Sequence, residues 1–394
     1  MDLSLLDDDP DKFVSRMLES MLSKGASNAF LIVPSPLSFR ISGEIFPQTE
    51  EPLLQSQVNR VVNIFLTDYE KEKLRRDLDV NFSYMLPGTD HRFRVSVFRQ
   101  AGHLAAVIRT INSDIPSIDS MGLPEIFKDI ALYNSGLVLF GGPTNAGKST
   151  SIATLIDYRN RMKSSHILIL EEPLEYVHKP IKSVITHREI SHDAKSWNLA
   201  LKYAMRQSPD MLFLGEVLDI ETMENILQAS TVGHFVLTTI HANTAVQVIE
   251  RCFSMFADPM RQNQVLMNLA LNLRAVVCQR LIRSKSNGVV PMVEVMINNH
   301  SISNCIMNRD LDKIPQLMEV SSSGGMQTFQ KHLVDLIGKD KISVEDALWS
   351  TDNSVDLQIA LRSAGLIDAI SSSESSFTLY ESKDKKKLSS SSSE

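Results

Sequence analysis

Cysteine is scarce in this chain of 394 residues: Cys252, Cys278 and Cys305 are far apart and odd in number. That argues against a disulfide framework and against a four-cysteine zinc site, and it fits a reducing compartment. Long apolar runs are missing as well. None approaches the ~20 residues that a membrane-crossing helix needs. The start of the chain, Met1-Asp2-Leu3 with Asp7-Asp8-Asp9 behind it, is acidic and does not read as a secretory signal. The expectation is a soluble cytoplasmic protein. There is no excess of basic charge either. Forty Lys and Arg against 47 Asp and Glu leave a net charge of −7, so no nucleic-acid partner is expected. No internal repeat is visible.

What is present is ordinary for a globular chain that buries a sizeable core: 43% hydrophobic and 22% charged residues. The length suggests two or three domains. Asp9 can cap a helix with Pro10 at its first position, and Phe13, Met17 and Met21 recur every fourth residue until Gly25. Strands are expected at Ala29–Val33, Phe39–Phe46 (broken at Ser42-Gly43), Arg92–Phe98 and Leu104–Ile111, with a charged helix over Ser56–Arg76. The polar, proline-containing stretch Asn112–Ser117 marks a boundary. From Met121 the pattern changes. Leu137–Phe140, Ile167–Leu170, Met211–Leu214 and Phe235–Thr239 are short apolar runs separated by helical stretches, as in a parallel sheet covered on both faces. The expected organisation is therefore a small α+β domain at 1–112, a linker at 113–120, an α/β domain at 121–370 and a disordered Ser/Lys-rich tail at 371–394.

Gly142-Pro143-Thr144-Asn145-Ala146-Gly147-Lys148-Ser149-Thr150 follows one of those strands and opens a helix. The pattern Gly-x-x-x-x-Gly-Lys-Ser in that context is a phosphate-binding loop. A chain of this length should match its four fixed positions by chance on the order of once in a hundred. Backbone N–H groups and the helix N-terminus surround phosphate oxygens, Lys148 places a charge on the β- and γ-phosphates, and the Ser149 hydroxyl ligates Mg²⁺. Asn145 stands where many such loops carry glycine, and asparagine tolerates the left-handed backbone. ATP and Mg²⁺ are the expected cofactors.

In open parallel sheets the ligand sits beyond the carboxyl ends of the strands. Ile167–Leu170 runs into Glu171-Glu172-Pro173-Leu174-Glu175, and Met211–Leu214 runs into Gly215-Glu216. Phe235–Ile240 has His234 before it and His241 after it. Hydrolysis needs a carboxylate near the metal and a group to orient water, though spacing does not fix which carboxylate does which job. His178, His187 and His192 read as surface or structural histidines. Charge on a transferred phosphate is best neutralised by arginine. Arg92, Arg94, Arg99 and Arg109 cluster in the last strands of the first domain, where 92 and 94 share a face. That face reads equally well as a solvated one.

Together these residues resemble the type IV pilus retraction ATPases of the PilT/PilU family, in the secretion-ATPase superfamily. The phosphate loop is similar to the family's Walker A, and Leu170–His178 to its Asp box. Ser208–Glu216 resembles its Walker B segment, and Thr231–His234 through His241–Asn243 its His box. Asp157–Asn160, Thr186–Glu189, Gly325–Phe329, the segment from Asp346 to Leu357, and Phe30 place the resemblance closest to the PilU branch. The resemblance implies a PAS-like N-terminal domain joined to a RecA-like ATPase domain, assembled as a hexamer peripheral to the inner membrane. It implies that Glu171 prepares the attacking water, that Glu216 supports Mg²⁺, and that His234 and His241 couple the γ-phosphate to domain movement. Arg94 and Arg109 would close over nucleotide. The implied partners are a PilT-type retraction ATPase and a PilC-type platform protein, and the implied work is pilus retraction and twitching motility. Two residues depart from the pattern: Leu218 replaces a usual arginine, and Glu172 a usual aspartate. Competing readings are a DotB-like type IV secretion ATPase and a nucleotide-binding subunit that does not hydrolyse.

Overall fold

The structure, a computed structural model, describes residues 3–89, 91–111, 114–286, 288–321 and 324–367. The proposed tail at 371–394 lies outside these. The first part of the chain runs α1 (Ser4–Asp8), α2 (Pro10–Ser23), β1 (Ala26–Leu31), β2 (Ser38–Ile41), β3 (Glu44–Pro47), α3 (Gln55–Phe65), α4 (Asp68–Asp77), β4 (Asp79–Met85), β5 (Arg92–Gln100) and β6 (His103–Ile111). Its six strands form one antiparallel sheet in the order β3-β2-β1-β6-β5-β4. The Asp9 carboxylate caps α2 by accepting from the Lys12 N–H at 3.0 Å, with Pro10 at the first position. The periodic Phe13, Met17 and Met21 face a core shared with Val58, Val62, Phe93 and Val95. The single helix expected over 56–76 is two. The chain leaves the helix at Leu66, and the Glu70 carboxylate accepts from the Thr67 N–H at 2.9 Å to start the next one.

The second part runs α5 (Ile118–Met121), α6 (Ile126–Ala131), β7 (Gly136–Gly141), α7 (Lys148–Met162), β8 (His166–Glu171), β9 (Val184–Glu189), α8 (Trp197–Ala204), β10 (Met211–Leu214), α9 (Ile220–Thr231), β11 (Phe235–Ile240), α10 (Ala245–Ser254), α11 (Pro259–Asn272), β12 (Leu273–Arg283), β13 (Val289–Ile297), α12 (His300–Asn308) and α13 (Ile314–Val320). The strands form one sheet in the order β13-β12-β7-β11-β10-β8-β9, and every neighbouring pair from β12 to β9 is parallel. The four apolar runs read from the sequence are its centre. All residues of β7, β10 and β11 are buried, as strands covered on both faces require. A second core built on Val138, Phe140, Ile152, Ile169, Phe213 and Leu237 fills the space between sheet and helices. This is a RecA-like ATPase domain preceded by a PAS-like α+β domain. All three cysteines are buried and unpaired.

Residues Ile282–Gly288, with the described residues from Phe329 on, form a separate compact unit. It contains α14 (Phe329–Gly338), α15 (Val344–Ser350) and α16 (Ser354–Ser363).

Sheet edge β9 carries an unusual pair. The His178 N–H donates to His187 Nε2 at 3.0 Å, and the two rings stack 6.0 Å apart at 12°. Nε2 must be unprotonated to accept. Burial pushes His178 down to about 3, with the His187 charge adding to it. Burial pushes His187 down to about 4, with the Arg92 charge adding. An unfolded chain takes up protons on both near pH 6.5, whereas the folded one does so only near 4 and below. Their contribution is thus complete above pH 6.5 and is lost as pH falls from there towards 4. Urea denaturation should show stability dropping by on the order of 3 kcal/mol between pH 6.5 and pH 5, above the carboxylate range. In His187→Gln that slope should be markedly shallower.

Candidate functional site

The carboxyl ends of the parallel strands place the chemistry in a row. In sheet order they lead into the phosphate loop after β7, His241 after β11, Glu216 after β10, Glu171 at the end of β8 and Glu189 at the end of β9. Neighbouring strands are about 4.8 Å apart, so hydrogen-bonded register alone brings residues distant in sequence side by side. The pairing continues past the strands. Gly215 N–H donates to Leu170 O at 2.8 Å, Val217 N–H to Thr239 O at 3.0 Å, and the Thr239 hydroxyl to Gly215 O at 2.6 Å.

The loop 142–147 has the conformation its glycines permit. Gly142 has φ +138°, and a Cβ there would sit 2.4 Å from the Gln279 carbonyl oxygen. Gly147 has φ +80° and leads directly into α7. Asn145 takes the left-handed conformation, φ +64°, as its place in the loop led one to expect. The Lys148 ammonium donates to the carbonyls of Gly142 and Pro143, at 2.8 Å each. Burial lowers the basicity of Lys148, while Glu216 and Glu175 oppose that shift. The Thr150 hydroxyl is hydrogen bonded to the Tyr176 hydroxyl at 2.8 Å.

A cavity of about 830 Å³ opens on this row. Thr144 to Thr150, Glu171, Glu216 and His241 line it from the ATPase domain, and Arg94 and Arg109 from the N-terminal domain. The two arginines are direct cross-strand partners on β5 and β6. Glu216 Oε1 lies 2.6 Å from His241 Nε2. Glu171 is buried, and its Oε2 accepts only a long 3.3 Å bond from the Glu175 N–H among the described residues. Desolvation raises its pKa well above the usual carboxylate range, and the nearby Glu175 charge pushes the same way. A carboxylate so placed holds a proton readily, the property a proton acceptor for water needs.

Three residues singled out in the sequence lie outside the cavity. His234 precedes β11 and so lies at the other end of the strand from His241, about 20 Å away. Its Nδ1 is 2.8 Å from Pro209 O, and it does not line the cavity. Arg92 shares the face of Arg94, as the alternation predicts, but it lies beside His187 rather than in the cavity. Arg99, near the far end of β5, is exposed. Of the two departures from the family pattern, Leu218 is 64% exposed at the cavity rim. Glu172 is exposed and accepts from the Ser191 hydroxyl at 2.6 Å.

One residue that matters to the site escaped the sequence reading. Gln279 on β12 is fully buried; its Oε1 accepts from the Ser151 hydroxyl and its Nε2 donates to Ala146 O, both at 2.8 Å. A single amide therefore ties the phosphate loop to the first turn of the helix after it. The signal was there, a lone carboxamide within the apolar run of β12.

The loop's positive-φ glycines, its amides at a helix N-terminus and the ammonium of Lys148 on neutral carbonyls fit the phosphates of a nucleotide. A hydroxyl at Ser149 and a carboxylate at Glu216 fit Mg²⁺, which takes few protein ligands and completes its shell from phosphate and water. Fold and site together define a P-loop ATPase. The model of the type II/IV secretion system protein family matches residues 7–331, and the chain belongs to that family. The type IV pilus ATPase PilU of Pseudomonas aeruginosa is 36% identical over 356 residues, 90% of this chain and 92% of its own. A crystal structure of the pilus retraction motor PilT with bound ADP superimposes with a TM-score of 0.81 at 34% identity, covering 88% of this chain and 98% of that one. The ATPase DotB of Legionella pneumophila shares the fold, with a TM-score of 0.76 at 21% identity over 90% of this chain and 96% of its own.

Removing the strut is a direct test of the loop's support. Gln279→Ala should weaken nucleotide binding roughly tenfold, the equivalent of about 1.4 kcal/mol, as measured by titration with a fluorescent nucleotide. Gln279→Glu should do no better, because a carboxylate cannot donate to Ala146 O.

Proposed function

We propose that this chain is a motor subunit of the PilU kind, a hexameric ATPase that hydrolyses ATP to power retraction of a type IV pilus. The observation that carries this reading is the convergence on one cavity of Lys148, Glu171, Glu216 and His241 from the ATPase domain with Arg94 and Arg109 from the N-terminal domain. Each of these has a task in phosphoryl transfer. The phosphate loop and Lys148 hold the phosphates, and Ser149 with Glu216 hold Mg²⁺. That ion neutralises phosphate charge when bound. Glu171 takes a proton from the attacking water. Glu216 Oε1, 2.6 Å from His241 Nε2, holds the imidazole at the cavity wall. His234, at the far end of β11, has no part in this.

Arg94 and Arg109 come from a different domain than the loop they face. Closing them on nucleotide and releasing them after hydrolysis converts a chemical cycle into a domain movement. Coupled round a hexamer, such movements are work that can be delivered to a PilC-type platform protein at the inner membrane. A PilT-type ATPase is the partner we assign to it. The DotB likeness is one of fold alone. The similarity to PilU and to PilT is higher and extends over most of each chain.

Leu218 favours a second reading, a nucleotide-binding subunit that does not turn over. It puts an apolar side chain at the cavity rim where the family pattern has arginine. Steady-state ATPase measurements decide between the two. The motor reading expects turnover that falls at least a hundredfold in Lys148→Ala and in Glu171→Ala, the order of effect of losing a principal phosphoryl-transfer group. Turnover indistinguishable from those two variants would establish the second reading. In cells, a deletion strain should lose pilus withdrawal, with and without the partner motor as the comparison.

A further inference from the structure

Glu189 ends β9, the outermost strand of the ATPase sheet, in register with Glu171 on β8. Partner positions on parallel neighbours project to the same face, so the two carboxylates stand side by side, and both are buried. Two adjacent buried carboxylates are costly to ionise together unless each finds donors. Glu189 finds them in the other domain. The Ser83 N–H donates to its Oε1 at 3.2 Å and the Ser83 hydroxyl to its Oε2. Ser83 lies on β4, the outermost strand of the N-terminal sheet. The main chain of Glu189 is anchored separately. Its N–H donates to the Asp193 carboxylate at 2.8 Å and its carbonyl accepts from the Asp193 N–H at 2.7 Å. The strand end is thus fixed within its own domain, while the carboxylate answers to Ser83.

We propose that Glu189 is a positioning residue through which the N-terminal domain sets how readily Glu171 takes up a proton. With Ser83 docked, a buried and unscreened negative charge is held beside Glu171, and Glu171 keeps a proton more firmly. With Ser83 withdrawn, Glu189 opens to water, which screens its charge, and Glu171 becomes the weaker base. Other charged groups share the cavity with Glu171: Glu172 and Glu175 from its own loop, and Lys148, Glu216, Arg94 and Arg109. Glu175, Lys148 and Glu216 travel with the ATPase domain. Arg94 and Arg109 move with Ser83, but their positive charge acts in the opposite sense. The domain that brings neutralising charge to nucleotide therefore also tunes the group that prepares water.

This inference rests on the reading of Glu171 as the proton acceptor, and the test separates the two. The acid limb of the kcat/KM profile for ATP reports the ionisation of an essential base in the free enzyme. In the full-length protein, Glu189→Gln should move that limb to lower pH by about half a unit or more. Ser83→Ala should move it the same way by less, and Ser83→Thr, which keeps the hydroxyl, should return it to the wild-type position. An unmoved limb in Glu189→Gln, whatever the loss of rate, would overturn the proposal and leave Glu189 a structural tie. So would a shift in Ser83→Thr as large as in Ser83→Ala. Should Glu189→Gln fail to fold, the Ser83 pair alone decides. Glu171→Gln is the separate control: if it retains wild-type turnover, the role of Glu171 falls and this inference with it. If it is inactive and the other limbs do not move, only the inference falls.

Discussion

The molecule depends on the register of one parallel sheet. Five strands, β7, β11, β10, β8 and β9, finish at the same edge, and each delivers one group: the phosphate loop, His241, Glu216, Glu171 and Glu189. The five groups are separated by eighteen or more residues along the chain, yet ladder hydrogen bonds hold them in line. Slipping any one strand by a residue would turn its terminal side chain to the opposite face. The fully buried strands make that slip costly, since every position in β7, β10 and β11 is packed on both sides. Catalytic geometry is in this sense a by-product of core packing.

Set against that rigid line is the antiparallel sheet of the N-terminal domain. It reaches the site in two places: Arg94 and Arg109 line the cavity, and Ser83 meets Glu189. Both reach across from β4, β5 and β6, one side of that sheet. The same three strands therefore bring two arginines to the cavity and a donor to the carboxylate next to Glu171. The stack of buried His178 on half-buried His187, beside Arg92, lies along the same border and favours neutrality there.

Much of this was legible in the sequence, for reasons that differ between residues. The phosphate loop was readable because its geometry demands particular residue types at fixed spacing, and even Asn145 disclosed its left-handed backbone. The four central strands were readable because burial on both faces leaves an unbroken apolar run. The edges were not: β9 reads Val184-Ile185-Thr186-His187-Arg188-Glu189, half-exposed and polar, so it carries no such signature. The break at Leu66-Thr67 was hidden because no glycine or proline marks it, and only the reach of Glu70 back to Thr67 reveals the new cap. His234 fell within a motif that pointed to the site, yet a motif gives order along the chain and not which end of a strand a residue occupies. Gln279 was missed because its function lies in two partners more than a hundred positions away.

Gln279 has a consequence for how the protein can move. One carboxamide grips the loop at Ala146 and the helix at Ser151, so loop, helix and β12 shift together or not at all. The phosphate side of the cavity is then an anvil. In the motor cycle we propose, the stroke is then made by the arginine side, and force depends on what that side is attached to.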